Sequence, residues 1–85
     1  MRLFQEIEKC FPEMRKHRME WLKRNPTLGE SQAKSDMILW IEATYLQENS
    51  SIYQLFWKAG VQTRRTMANQ MLIWHMYDWN LETRK

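Results

Sequence analysis

The sequence predicts an all-α protein, a compact bundle of three to four helices with no sheet. Apolar residues recur at spacings of three and four in every segment, which is the pattern of a helix with one buried face. Alternating runs of β-branched residues are missing, and the chain contains a single valine. The composition is globular, with 44% hydrophobic and 27% charged residues, and 85 residues suit one domain over 1–85.

The first predicted helix covers about residues 2–24, with an apolar face of Phe4, Ile7, Phe11, Met14 and Trp21. Pro12 interrupts it, because a proline inside a helix removes one hydrogen bond and clashes with the preceding turn. Proline is also well suited to a first helical turn. We therefore expect either a kink near residues 9–11 or a short helix followed by a second one that begins at Pro12. Pro26 ends the segment, since the residue before a proline is pushed out of the helical region.

The second predicted helix covers residues 28–47. Thr27 precedes Glu30 by three positions, which is the pattern of a capping box. Ser31 and Ser35 are the alternative starting points. The C-terminal half is apolar on more than one face, which indicates a central helix or one with a second surface for a partner.

The third predicted helix covers residues 52–59, with an N-cap in the 49–51 loop, and the fourth covers residues 63–81. Gly60, followed by Val61, is typical of a left-handed helix C-cap. The fourth helix carries three apolar rows: Met67-Met71-Trp74, Ala68-Leu72-Met76-Trp79 and Ile73-Tyr77. An outer helix needs one apolar stripe of about 100°, so we expect at least one row to face a partner, with Trp74 or Trp79 partly exposed.

The sequence offers little support for catalysis or for a cofactor. The single cysteine, Cys10, excludes a disulfide within the chain, and His17 and His75 bring no second pair of metal ligands with them. The two glycines form no phosphate-binding loop. We expect no enzymatic activity, no metal, no cofactor and no small-molecule substrate. The chain has no apolar run long enough to span a membrane and no signal-peptide pattern at its start, so we expect a soluble, cytoplasmic protein without a membrane partner.

Aromatic residues and methionine are the strongest compositional deviation. Five Trp, seven Met, three Tyr and three Phe occur in 85 residues. Such residues are enriched in protein interfaces, although they also suit an aromatic-rich core. The sequence predicts a non-enzymatic interaction module, a regulator, inhibitor or adaptor of phage type that occludes a larger protein or associates with itself. Its expected partner interface lies on the second and fourth helices and consists of Trp40, Tyr45, Met71, Trp74, Tyr77 and Trp79.

Basic residues suggest an alternative function in DNA binding. The net charge is +3, and segments 1–29 and 51–85 are basic whereas 30–50 is acidic. Basic side chains on one face can bind phosphate or an acidic partner, and otherwise form a solvated helix face. The expected contacts are Arg15, Lys16, Arg18, Thr63, Arg64 and Arg65. A helix-turn-helix over residues 52–75 would place the last three at the start of its recognition helix. Leu55, Ala59 and Val61 fit that motif, whereas Phe56, Thr66 and Asn69 do not.

Overall fold

The computed structural model describes residues 2–84 and shows five helices with no strand among those residues. The helices are α1 (Arg2–Glu8), α2 (Phe11–Arg24), α3 (Glu30–Tyr45), α4 (Ser51–Lys58) and α5 (Arg64–Thr83). The all-α prediction is confirmed, whereas the predicted count of three to four helices is wrong. Met1 and Lys85, which belong to the predicted domain over 1–85, lie outside the described residues.

The additional helix arises at Pro12. Helix α1 ends at Glu8, and α2 begins at Phe11 with Pro12 in its first turn. The missing N–H of proline costs nothing there, because the first turn of a helix has no internal acceptors for its N–H groups. The backbone N–H of Cys10 closes the intervening turn by donating to the Ile7 carbonyl at 2.9 Å. The predicted break is confirmed, and it divides the first predicted helix into two.

The start of α3 differs from the prediction. The helix begins at Glu30 after Gly29, which is extended (φ −83°, ψ 177°), and no side chain caps it. Because Glu30 is the first helical residue rather than the third, the capping box from Thr27 is wrong. The alternative starts at Ser31 and Ser35 are wrong for the same reason, since both lie inside the helix.

Both caps predicted for α4 are present in the structure. At its start, the backbone N–H of Tyr53 donates to the Ser50 hydroxyl at 3.1 Å, which is an N-cap bond. At its end, Gly60 has a φ of 91°. The N–H groups of Gly60 and Val61 donate to the carbonyls of Trp57 and Phe56, each at 3.0 Å. This is the Schellman pattern of bonds, so the predicted left-handed C-cap at Gly60 is confirmed.

Helix α5 organises the bundle. It packs most extensively on α3 and also touches α2 and α4, while α1 lies against α4. Four methionines contribute to the buried cluster, and their flexible side chains suit an irregular core. The cluster comprises Leu3, Ile7, Phe11, Met14, Met37, Ile41, Leu46, Ile52, Phe56, Met67, Ala68, Met71 and Leu72. Among the described residues, no helix combines the length and the apolar character that crossing a bilayer requires.

Candidate functional site

One row of large apolar side chains on α5 remains open to solvent. Ile73 is 51% exposed, Tyr77 is 69% exposed and Leu81 is 64% exposed. Four-residue spacing places these side chains in one inclined row on the helix surface. The opposite side of the same helix is fixed in the core. We call the row of Ile73, Tyr77 and Leu81 the α5 ridge.

A groove lies beside the α5 ridge, between α5 and the α1–α2 corner, and encloses about 460 Å³. Its apolar lining consists of Phe4, Phe11, Pro12 and Trp74 together with Tyr77 and Leu81. Trp74 stacks on buried Phe56 with ring centroids 6.5 Å apart, and meets the Phe4 ring edge-on at 5.4 Å. These ring contacts hold the floor of this first groove in place.

Charged groups stand at the edge of the first groove. One guanidinium nitrogen of Arg15 donates to both carboxylate oxygens of Asp78, at 2.7 and 2.6 Å. This ion pair links α2 to α5 and neutralises both charges within the chain. The carboxylate of Glu8 also lines the groove, and its residue is exposed.

A second groove lies on the other side of the α5 ridge, between α5 and α3, and encloses about 280 Å³. It is lined by Lys34, Leu72, Ile73, Met76, Tyr77 and Asn80. Tyr77 lines both grooves, so its ring is the crest between them. The ridge and its two grooves form one continuous, mainly apolar surface.

The predicted interface residues of α5 divide into three groups. Tyr77 is strongly exposed, and Trp74 and Trp79 are half-buried, which confirms the predicted partial exposure. Met71 is corrected: it is completely buried in the core and presents no surface to a partner. The reason is that α5 packs on three other helices, so most of its circumference is covered.

The predicted interface residues of α3 make contacts within the chain. Trp40 stacks on His17 of α2 with ring centroids 4.3 Å apart. The hydroxyl of Tyr45 donates to the Glu13 carboxylate in a short hydrogen bond. Burial, followed by this hydrogen bond to Glu13, raises the pKa of Tyr45. Both side chains are half-buried and tie α3 to α2.

The predicted basic contacts on α2 are dispersed by the fold. Lys16 is exposed, whereas Arg15 is held by Asp78. Arg18 is corrected: it is only 4% exposed, and its guanidinium lies over the Trp79 ring at 5.1 Å. Burial lowers the pKa of Arg18, and the carboxylate of Glu30, 3.7 Å away, partly offsets that effect. Of the three residues, Lys16 alone offers an exposed and unpaired charge among the described contacts.

The predicted contacts at the start of α5 serve partly structural roles. The Thr63 hydroxyl caps α5 by accepting from the backbone N–H of Thr66 at 3.2 Å. Arg65 forms an ion pair with Glu42 of α3 at 3.2 Å. Arg64 is exposed and lines a groove of about 520 Å³ that Leu39, Glu42 and Glu48 also line. Acidic groups of α3 and of the loop that follows it therefore stand next to the basic first turn of α5.

His75 lies completely buried on the inner side of α5. Neither of its ring nitrogens has a hydrogen-bond partner among the described residues, and the same holds for Nε and Nη1 of Arg18. Burial lowers the pKa of His75 to about 4, and the nearby positive charge of Arg18 acts in the same direction. The imidazole is therefore neutral at pH 7 and packs as an apolar ring beside Trp79, 6.1 Å away.

Three residues of the α5 ridge and the first groove were absent from the predicted interface. The exposed face of α5 includes Ile73 and Leu81, and α1 contributes Phe4, which is 37% exposed. The sequence did indicate Ile73, because Ile73 and Tyr77 form a third apolar row that is separate from the other two rows of the helix. The sequence placed Phe4 on the buried face of the first helix, whereas in the structure it is partly exposed beside Phe11 and Trp74. No sequence signal distinguished Leu81, which stands at the predicted end of its helix.

The described residues contain no group of three or more His, Cys, Asp or Glu side chains that could hold a metal ion. Burial, followed by the nearby Glu13 carboxylate, raises the pKa of the Cys10 thiol. Comparison with protein-family profiles, with curated proteins and with solved structures found no match for this chain.

Proposed function

We propose that this chain is a small non-enzymatic protein–protein interaction module that binds another protein chain through the α5 ridge. The observation that carries the proposal is the row of three large apolar side chains, each more than half exposed, beside an apolar groove. Single exposed apolar residues are ordinary, whereas a contiguous apolar patch of several hundred Å² is often a binding site. The occupant is a folded chain with a complementary apolar face.

The chemistry of the patch supports this assignment. Tyr77 offers a large and rigid ring, and half-buried Trp74 lies at its base; Tyr and Trp are the side chains most often found at the energetic centre of an interface. The Arg15–Asp78 ion pair is already formed before binding, so covering these two side chains leaves neither of their charges unpaired. Binding through such a surface needs no reacting group. Occlusion of a larger protein and self-association, the two outcomes predicted from the sequence, would both use it.

Site-specific photo-cross-linking tests the proposal. A photo-reactive phenylalanine analogue placed at Tyr77 should form an adduct with another protein chain in cells of the native source. The same analogue at Leu39 is the control, because Leu39 is 62% exposed on α3 and lies outside both ridge grooves. Adducts at position 77 that are missing at position 39 support the proposal. Equal labelling at both positions, or none at position 77, contradicts it.

A DNA-binding regulator is the second candidate, because Arg64 and Arg65 are both exposed in the first turn of α5. Three features weigh against it: Thr63 is used as the helix cap, Glu42 pairs with Arg65, and Phe56 fills a position where a helix-turn-helix needs a small residue. Salt dependence separates the two functions. Binding to DNA weakens steeply with salt because counterions are released, whereas an apolar protein interface changes little.

A further inference from the structure

We infer that the chain which covers the α5 ridge is a second copy of this protein, in a two-fold symmetric dimer with the two α5 helices running parallel. This inference rests on the proposed function and names the partner of the same surface. A two-fold interface must be self-complementary, because the same patch occurs on both subunits. The α5 surface meets that requirement in shape and in charge.

The complementarity of shape comes from the ridge and the first groove. Each copy presents projecting apolar side chains, chiefly Tyr77, and directly beside them an apolar hollow of about 460 Å³ lined by Phe4, Phe11 and Trp74. When the two-fold axis runs along α5, the ridges lie side by side. Each ridge then enters the first groove of the other copy. One patch therefore supplies both the inserted side chains and the site that receives them.

The complementarity of charge comes from the two flanks of the ridge. Glu8 lines the first groove and Lys34 lines the second, and Tyr77 lines both, so the two charges stand on opposite flanks of the ridge. Both residues are exposed, and neither forms an ion pair with another described residue. The same symmetry axis places Lys34 of each copy opposite Glu8 of the other. The remaining charges of the first groove, Arg15 and Asp78, neutralise each other within one chain.

The size of the patch predicts a weak dimer. With 150–250 Å² for a whole aromatic side chain as a guide, the exposed parts of Phe4, Ile73, Tyr77 and Leu81 amount to roughly 400 Å² in each copy. The two copies together supply about 800 Å² of apolar surface, so their polar rims must add about 400 Å² for the dimer to reach the lower end of the range of about 1,200–2,000 Å² that specific interfaces bury. We therefore expect a dissociation constant of about tens of micromolar for the dimer.

Sedimentation velocity of the full chain between about 5 and 500 µM tests the inference. The wild-type chain should shift from monomer to dimer across this range. Tyr77→Asp should raise the dissociation constant at least about tenfold, as expected for a central aromatic anchor. Leu39→Asp is the matched control, since it adds the same charge at an equally exposed apolar position outside the patch, and it should stay within about twofold of wild type. Far-ultraviolet circular dichroism checks that each variant is folded.

An exchange of charges tests the symmetry of the dimer. Glu8→Lys and Lys34→Glu should each weaken the dimer about fivefold, because each change removes two surface ion pairs per dimer and creates repulsion in their place. The double variant should return to within about twofold of wild type. The two-fold arrangement is overturned if Tyr77→Asp dissociates the dimer but the double variant, Glu8→Lys with Lys34→Glu, does not bind more tightly than the two single charge variants.

Two further outcomes also overturn the inference. One is a wild-type chain that stays monomeric at 500 µM, and the other is a dimer that Tyr77→Asp leaves intact. If the chain is monomeric while the analogue at position 77 cross-links to a different protein, the inference fails and the proposed function stands. If neither self-association nor any cross-link at position 77 is found, both fail.

Discussion

Replacing His75 by leucine should remove a large part of the acid sensitivity of this protein. The imidazole is completely buried, and its pKa of about 4 lies below the ordinary value of 6.5. Between these two pH values the unfolded chain takes up a proton that the folded chain excludes. Acid therefore favours unfolding, and the loss of stability begins below pH 6.5 and levels off below pH 4.

The magnitude follows from the two pKa values. His75 should cost the wild-type fold about 2 kcal/mol on going from pH 7 to pH 5, and about 3 kcal/mol by pH 4. His75→Leu keeps a similar volume and removes two buried nitrogens without hydrogen-bond partners. At pH 7 we expect the variant to be as stable as wild type or more stable, because an apolar replacement of a buried unpartnered group is neutral or favourable.

Other charged groups surround His75, and a second variant separates their effect. Arg18 and Arg15 lower the pKa of His75 and Asp78 raises it, while His17 has a smaller lowering effect. Burial is the largest cause, so Arg18→Met should reduce the acid sensitivity without abolishing it. Urea unfolding followed by tryptophan fluorescence at pH 7, 6, 5 and 4.5 measures the free energies of unfolding. If wild type and His75→Leu lose stability in parallel between pH 7 and pH 5, the buried imidazole is not the acid-sensitive group.

Further predictions concern single contacts and are checked by denaturant unfolding. Gly60→Ala should destabilise by about 1 kcal/mol because of the positive φ, although the added Cβ meets no atom within 4 Å; an unchanged stability would show that strain is absent. Gly29→Asp should stabilise by a few tenths of a kcal/mol by supplying the missing N-cap of α3, and a loss would show that the capping geometry is not reached. Asp78→Asn should lower the free energy of unfolding by about 1–2 kcal/mol because it leaves the half-buried Arg15 unpaired. A much smaller loss at high salt would show that the ion pair is screened like a surface pair. Tyr77→Lys should change monomer stability by less than about 0.5 kcal/mol, because its ring is mostly exposed; a larger loss would place it in the core.

Local chemistry explains which parts of the fold the sequence could predict. Pro12 lacks a backbone N–H and Gly60 can adopt a positive φ, and both properties belong to the residue itself. The helix break and the C-cap therefore occur at the expected positions. The capping box from Thr27 is wrong because α3 begins only after Gly29, which is extended and provides no side-chain bond. The residue at which α3 starts depends on how the whole preceding loop packs, and the spacing of apolar residues carries no information about that packing.

The candidate site was predictable only in part, because exposure depends on neighbours distant in sequence. Three apolar rows on α5 indicated that one of them would stay open, and the structure leaves the row with Ile73 and Tyr77 open. Which basic residues are neutralised could not be predicted, since Asp78 meets Arg15 across 63 positions of sequence. The burial of Arg18 is also a tertiary effect, because it needs the Trp79 ring above its guanidinium.

The tryptophans show how the apolar excess of this chain is divided between fold and surface. Trp40 and Trp79 lie against polar partners, His17 and Arg18, and thereby cover groups that would be costly to bury alone. Trp74 instead forms part of the first groove, with one side against the core and the other toward solvent. The aromatic content is therefore only partly a requirement of the core. Other large apolar side chains, such as Trp57 and Leu39, are also exposed, but Ile73, Tyr77 and Leu81 form one row on α5. This row, rather than the number of aromatic residues, favours an interface.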